Sequence, residues 1–364
     1  MRILQVNHFL DMGGSEAVLL TLAKEQRRLG HDVTICSMYG TGPLDARATE
    51  YGIPVVHLHS GKKRIEKIRA LNAYLKRERY DVLHSHWGVW LATAVAGFLR
   101  GIPRIHTNHS NQPRRLFLEH RVACFFTDKV VVLTPELEPY IAKWVAVPRR
   151  KIEVIPNGVE FAALKNAARV EIEGIPPEAP VVGMVARLFP PKDYATFLRA
   201  AAIVMKERPE VHFVSVGNGQ QREHFEQEAA ALGLKNFHFL GGRMDVPSLL
   251  RRMTIAVLAT KHEGQPVSLI EAMVSGTPVI GSDIPAVRFS LEDGASGLLV
   301  EGQNPEALAQ AIMRLLDDPA LRTRLIERAK VHSQAFHVSQ MTQKYIALCE
   351  RLIARTSKTA NRAE

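Results

Sequence analysis

The sequence predicts an α/β protein made of two doubly wound, Rossmann-like domains. Three observations carry that prediction. Apolar runs of strand length alternate with helical periods from the first residues onward. The alternation breaks at residues 160–179, EFAALKNAARVEIEGIPPEA, where mixed charge, Gly174 and paired prolines read as a linker. It then restarts at PVVGMVARL. With 364 residues, 46% of them apolar, the chain can fill more than one core.

In the first half RILQVN reads as a strand. The following GGSEAVLLTLAKEQRRLG reads as a helix, with Val18, Leu19, Leu22 and Leu29 at helical spacing and Gly30 as its C-terminal stop. DVTICSM, VVHL, DVLHS, RIHTN, KVVVL and KIEVI are further strands. Between them KKRIEKIRALNAYLKRER reads as a helix with Ile65, Ile68, Leu71 and Leu75 on one face. Strands separated by helices favour an open, mostly parallel sheet covered on both sides.

The second half repeats the rhythm. PVVGMVARL, VHFVSVG, FHFLG, IAVLAT and PVIG read as strands; DYATFLRAAAIVMKER, QQREHFEQEAAALGL and VPSLLRRM read as helices. Asn304 caps a later helix that has Pro305 at its first position. The expected domains are 1–160, 161–335 and a C-terminal helix at 336–364 that crosses back to the first domain and ends in a polar tail. Two such sheets imply a cleft, and ligands of open α/β sheets bind beyond the carboxyl ends of the strands.

Bulk composition narrows the function. The net charge of +10 is uneven: residues 1–160 hold 23 lysines and arginines against 15 aspartates and glutamates. That excess suggests an anionic partner, although a solvated basic surface is the plainer reading. Nucleic acid is disfavoured, because no basic motif is interleaved with aromatics. Cys36, Cys124 and Cys349 lack CxxC spacing and sit in apolar surroundings, as in a reducing compartment. MRILQVNHF lacks the apolar stretch of a signal peptide. The longest apolar run, WGVWLATAVAGFL, is shorter than the roughly 18 residues a membrane span needs and reads as a buried helix. The expected location is the cytoplasm, with peripheral attachment to an anionic membrane face as a further expectation.

The most informative stretch is HEGQPVSLIEAMVSGTPVIG, residues 262–281. Glu263 and Glu271 flank a strand-to-helix turn, and Pro266 suits the first helical position. The helix start offers unpaired N–H groups and a positive dipole end, which can hold a phosphate. Carboxylates would repel that phosphate, but each can accept hydrogen bonds from vicinal hydroxyls. A sugar nucleotide carries hydroxyls on both sides of its diphosphate, so the pair fits such a ligand. In VVGMVARLFPPKDY, Arg187 and Lys192 flank a loop at a strand end, where two cations can clamp a diphosphate and stabilise its departure. Gly13 and Gly14 follow the first strand and suit close backbone approach. HSHW and IHTNHSN place His86 and His109 at strand ends; a metal set is disfavoured there for want of nearby acids or cysteines, and a satisfied core histidine is the plainer reading of His86.

These elements, taken in order, resemble the retaining glycosyltransferases of family four, which have the GT-B fold: IPNGVE, ARLFPPK, VGNGQ, FLGGRMDVPSLL, the Glu263–Glu271 block and DGASGLLV. The match spans nearly the whole chain and is weaker in its first half. The resemblance implies that Arg187 and Lys192 bind the donor diphosphate, Glu263 meets the donor sugar near the reaction centre and Glu271 holds the ribose. It implies that Gly264 and the backbone of Gln265, Pro266, Val267 and Ser268 approach sugar and phosphates. Arg243 and Met244 would border the base, and His109 would face the donor sugar. Gly13, Gly14, Asn157 and Gly217 complete the donor set, with His86, Arg114 and Arg115 as acceptor-side candidates. No cofactor or bound metal is expected; the donor is a UDP- or GDP-sugar and the acceptor a sugar or lipid-linked glycan. Two departures stand out: Gln265 and Pro266 replace the family's frequent phenylalanine and small residue, and Ala286 and Phe289 replace a frequent Gly-Gly and Glu.

The implied activity is retaining, metal-independent transfer of a sugar to an acceptor hydroxyl in surface polysaccharide or glycolipid assembly. A sugar-nucleotide epimerase and a non-catalytic sugar-nucleotide sensor are the rivals. Lys62, Lys63, Arg64 and Lys67 form one basic cluster and Arg114 with Arg115, beside Leu116 to Leu118, another; both suit an anionic leaflet.

Overall fold

A computed structural model describes residues 1–86, 88–109 and 117–360. The chain divides into two compact units, Met1–Gly158 with Val338–Glu364, and Val159–His337.

The first unit runs β1 (Arg2–Asn7), α1 (Gly14–Arg28), β2 (Asp32–Ser37), α2 (Asp45–Glu50), β3 (Val55–His57), α3 (Arg64–Tyr74), β4 (Val82–Ser85), α4 (Trp90–Leu99), β5 (Arg104–Asn108), α5 (Phe117–Phe125), β6 (Lys129–Val132), α6 (Leu137–Tyr140) and β7 (Ile152–Val154). Its seven strands lie in the order β3-β2-β1-β4-β5-β6-β7, all parallel. Ile3 of β1 sits in register with Val33 of β2 on one side and Val82 of β4 on the other. The chain therefore winds outward one way from β1 and returns to wind the other way from β4. Gly30, at φ +86°, ends α1: its N–H donates to the Arg27 carbonyl, and His31 N–H reaches back to the Gln26 carbonyl. A residue with a Cβ resists that left-handed conformation.

The second unit opens with α7 (Phe161–Lys165), then β8 (Val181–Val185), α8 (Tyr194–Glu207), β9 (His212–Val216), α9 (Arg222–Ala231), β10 (Phe237–Gly241), α10 (Val246–Arg252), β11 (Ile255–Leu258), α11 (Val267–Ser275), β12 (Val279–Ser282), α12 (Pro285–Ser290), β13 (Leu298–Val300), α13 (Pro305–Asp317) and α14 (Pro319–His332). Its six parallel strands lie in the order β10-β9-β8-β11-β12-β13. Phe197 packs edge-on against Phe213 and Phe237 inside its core, and truncating such a ring costs about 3–5 kcal/mol. The Asn304 side chain accepts from Ala307 N–H at 2.9 Å to cap α13, as its sequence predicts.

The last helix, α15 (Val338–Ala360), belongs to the first unit and packs against α1. Met341, Tyr345, Leu348 and Leu352 recur at helical spacing and are buried.

Three expectations need correction. Residues 160–179 are part of the second unit rather than a linker, because Phe161, Leu164, Ile172 and Ile175 are buried in its core; four apolar anchors outweigh the polar and proline-rich residues between them. Ile65 is half exposed, because the first turn of α3 borders a cavity, and only Leu71 and Leu75 of the predicted face are fully buried. The predicted strands also omit the three-residue β13, which follows a glycine-rich turn.

Candidate active site

The second unit reverses direction between β8 and β11, and the loops leaving these neighbours are tied together. Lys192 and Thr260 form an antiparallel bridge. Asp193 N–H donates to the Ala259 carbonyl at 3.0 Å, and Lys261 N–H to the Pro191 carbonyl at 3.0 Å. This stitching brings the Lys192 ammonium onto the Glu263 carboxylate as an ion pair with a very short contact. The two side chains keep only 20% and 11% of their surface exposed. Two charges drawn this far from water interact strongly, so removing one leaves the other poorly compensated.

Arg187 leaves β8 two residues beyond its end and is exposed, its guanidinium 6.0 Å from the centre of the Phe189 ring. Among the described residues it forms no ion pair. The loop after β9 supports it from beneath. Gly217 has φ +150°, and a Cβ there would stand 2.1 Å from the Ala186 carbonyl oxygen; at Gly219 a Cβ would stand 2.1 Å from the Leu188 carbonyl oxygen. Both glycines let the VGNGQ backbone press on the segment that carries Arg187, and Leu188 N–H donates to the Asn218 carbonyl at 3.0 Å.

After Glu263 the chain passes through buried Gly264 and Gln265 to Pro266, which caps α11 one position earlier than the sequence suggests. Leu269 and Ile270 N–H both donate to the Pro266 carbonyl. Val267 N–H donates to the Gln265 carbonyl at 3.0 Å, so of the amides expected to meet a ligand this one is already engaged. Val267 and Ser268 are half-buried in the first turn, and Glu271 is half-buried a turn further on. Arg243 and Met244 follow the edge strand β10; Met244 is exposed and Arg243 pairs with Asp245. Arg187, Lys192, Gly217, Glu263 and the start of α11 thus gather at one end of this sheet, with Arg243 and Met244 at the same end but two strands away.

The first unit reverses direction between β1 and β4, and its switch point is built from neutral polar groups. Gln5 of β1 is fully buried, and its amide nitrogen donates to Gln26 of α1 at 2.9 Å. The Gln5 oxygen is then left to accept from His86 Nε2 at 2.8 Å. Burial, with neighbouring histidines adding to it, holds His86 neutral, its pKa well below the ordinary 6.5. A neutral ring that donates through Nε2 must accept at Nδ1, and His109 Nε2 lies 3.0 Å from that atom. His109, its pKa lowered to about 4 by burial, therefore presents Nδ1 as a bare acceptor, and this buried atom has no partner among the described residues. Alongside, His84 Nε2 lies 2.7 Å from the Thr107 hydroxyl, which lies 2.7 Å from the Tyr345 hydroxyl of α15.

Gly13 precedes α1 in an extended conformation any residue can adopt, and a Cβ on Gly14 would meet open space. Neither glycine is required by the fold. Asn157 is buried at the end of the first unit. Arg114 and Arg115 lie outside the described residues. Among the described residues no three His, Cys, Asp or Glu side chains gather as metal ligands, and no helix is long and apolar enough to cross a membrane. The sequence reading missed the Lys192–Glu263 pair, Gly219, and the Gln5–Gln26 link. Gln5 carried a signal, being a lone polar residue inside an apolar strand.

Two parallel doubly wound units, one of them gathering cations, a carboxylate and a helix start at its switch point, define a class of α/β proteins built to take an anionic ligand there. Residues 166–332 match the family described as Glycosyl transferases group 1, and residues 12–163 match Glycosyltransferase Family 4. A D-inositol 3-phosphate glycosyltransferase of Acidothermus cellulolyticus is 30% identical, the alignment covering 93% of this chain and 82% of that one. A UDP-Gal:alpha-D-GlcNAc-diphosphoundecaprenol alpha-1,3-galactosyltransferase of Escherichia coli is 29% identical over 79% of this chain and 80% of its own. Among solved structures, Anabaena HepE in complex with UDP and glucose superposes with a TM-score of 0.85 at 20% identity, covering 97% of this chain and all of its own. Sucrose-phosphate synthase of Thermosynechococcus elongatus gives 0.82 at 21% identity, covering 98% of this chain and all of its own. The chain belongs to the group 1, family 4 glycosyltransferases, and the fold is theirs.

Proposed function

We propose that this glycosyltransferase moves a sugar from a uridine or guanosine diphosphate sugar to an acceptor hydroxyl, with retention of anomeric configuration and without a bound metal. The observation that carries the reading is the cluster at the β8/β11 switch point: exposed Arg187, the half-buried Lys192–Glu263 pair and the first turn of α11. Arg187 and Lys192 neutralise the diphosphate as it leaves, taking the charge-balancing part. Glu263 exchanges its lysine for donor-sugar hydroxyls, Glu271 accepts from the ribose, and Arg243 with Met244 borders the base. His109 Nδ1 accepts from a donor-sugar hydroxyl and orients it. The anomeric carbon develops oxocarbenium character, and the departing phosphate oxygen takes the proton of the incoming hydroxyl on the same face.

The UDP held by the Anabaena relative supports a uridine donor. Both curated relatives are named for acceptors that carry phosphate, which supports a phosphorylated sugar or lipid-linked glycan here and a role in glycolipid or surface polysaccharide assembly. On this reading the enzyme works in the cytoplasm.

Thermal melting with UDP, GDP and ADP, each with and without magnesium, tests the donor site. A nucleotide at about 100 times its dissociation constant stabilises by roughly 2.7 kcal/mol. The expected result is a rise with one nucleotide, unchanged by magnesium and lost in Glu271→Ala. No rise with any of the three overturns the donor assignment; a rise that requires magnesium overturns metal independence. Anomeric outcome is read by NMR of the product.

A further inference from the structure

The four cations of the α3 region do not lie on a flat face. Lys62, Lys63, Arg64 and Lys67 border a cavity of about 700 Å3 inside the first unit, closed below by Trp90, His106 and His120. The cavity reaches the switch point of that sheet, because His8 after β1 and Gly88 after β4 also line it. Its charge is one-sided. Among the described residues Glu119 is the lone carboxylate in the lining, and it is paired with Arg64 at 2.7 Å. Among the described residues Lys62, Lys63 and Lys67 form no ion pair, and Lys67 is held with its ammonium 4.9 Å over the Tyr39 ring. The floor carries a further unmet group: His120 is 8% exposed, and its buried Nδ1 has no hydrogen-bond partner among the described residues. Trp90 stacks on His106 at 4.1 Å and tilts against His120 at 5.1 Å, fixing both rings.

The helix that supplies Glu119 and His120 is unusual on its other side. Leu118, Val122 and Phe125 recur at i, i+4 and i+7 of α5 and are 76%, 44% and 77% exposed, while Ala123 and Cys124 fill the buried side. Apolar residues on the solvent face of a surface helix mark a contact with something that is not water. Exposed Arg121 stands in the same stripe, where a long cationic side chain can reach a headgroup layer.

We propose that the first unit binds a lipid phosphate: the cavity takes the phosphate or diphosphate group, and the α5 stripe enters the leaflet beside it. Charge complementarity selects the occupant. Three lysines without an ion pair among the described residues call for a multiply charged anion, and the apolar stripe on the same helix that lines the cavity calls for an anion with a hydrocarbon tail. The proposal rests on the transferase reading in that the lipid phosphate would be the carrier of the acceptor.

The test is vesicle flotation of the full chain at physiological salt, using phosphatidylcholine vesicles doped with undecaprenyl phosphate or, at matched charge, with phosphatidylglycerol. Binding to the undecaprenyl phosphate vesicles in clear preference is expected. The triple variant Lys62→Ala, Lys63→Ala, Lys67→Ala should weaken it by roughly a hundredfold. Leu118→Ser with Phe125→Ser should abolish flotation while inorganic pyrophosphate still shifts the His106 and His120 ring signals by NMR. Equal binding to both dopants would mean surface charge alone and overturns the proposal. A pyrophosphate shift in the wild-type protein without flotation identifies a soluble phosphorylated ligand and overturns the lipid assignment. The nucleotide melting shift, which resides in the second unit, serves as the folding control. Its persistence in each variant separates failure here from failure of the transferase reading.

Discussion

The two units share a topology and differ in the chemistry at its centre. In each, the first strand lies beside the fourth, and the chain reverses its winding between them. At that point the second unit holds a half-buried ion pair and an exposed arginine, resting on two glycines. The first unit holds neutral rings and amides, joined from Gln26 through Gln5 and His86 to His109. The same backbone geometry therefore fixes where side chains converge but not their chemistry: one centre is charged, the other built of neutral donors and acceptors.

The comparison breaks most completely at the ion pair. Glu263→Gln and Lys192→Ala should each lower nucleotide-sugar turnover by about 10²–10³-fold, the scale for losing one preorganised electrostatic group. Turnover within threefold of wild type would show that this ion pair takes no part in the transfer. The glycine support comes next. Gly217→Ala or Gly219→Ala places a Cβ against a carbonyl oxygen, which should destabilise the fold by about 1–3 kcal/mol and lower the melting temperature by several degrees. A melting curve superimposable on wild type would mean the loop is free to move away from Arg187.

Acid should act on the first unit. His84 and His109 are lowered by burial to about 3 and about 4, so unfolding takes up protons in acid. Their contribution to stability is complete above pH 6.5 and is lost as the pH falls through 6.5 toward those values. Melting between pH 7.5 and 5 should show a falling transition, shallower in His84→Gln; an identical slope in that variant would remove His84 from the account. A subtler effect is expected at Gln5→Leu. Loss of its oxygen frees the His86 tautomer, so nitrogen NMR should find His109 Nδ1 bare in the wild-type protein and partly protonated in the variant. A protonated Nδ1 in the wild type would reverse the direction of the whole chain of bonds. Smallest is Arg243→Ala, which removes an exposed pair with Asp245 and should change stability by less than about 1 kcal/mol in chemical denaturation.

Much of this was legible beforehand. Apolar runs such as VVGMVARL and helix signals such as Asn304-Pro305 report local preferences, and the structure follows them. The linker reading failed because polar composition was weighed against position: Ile172 and Ile175 look incidental in a charged segment until a core is there to receive them. The site was legible as residue types at strand ends. Its partners were not, since Lys192 and Glu263 are 71 residues apart and nothing local to either points to the other.

By itself the sequence determined the periods, the caps, the order of the motifs and the family they spell. Those depend on neighbours within a turn or a strand, where a pattern and its cause are close together. The tertiary structure decided which loops meet, which charge is paired, and that Gln5 rather than solvent sets the face His109 presents. It also turned a run of lysines into the wall of a cavity. Each of these depends on parallel strands bringing distant ends side by side, and on burial that strengthens whatever polar contacts remain.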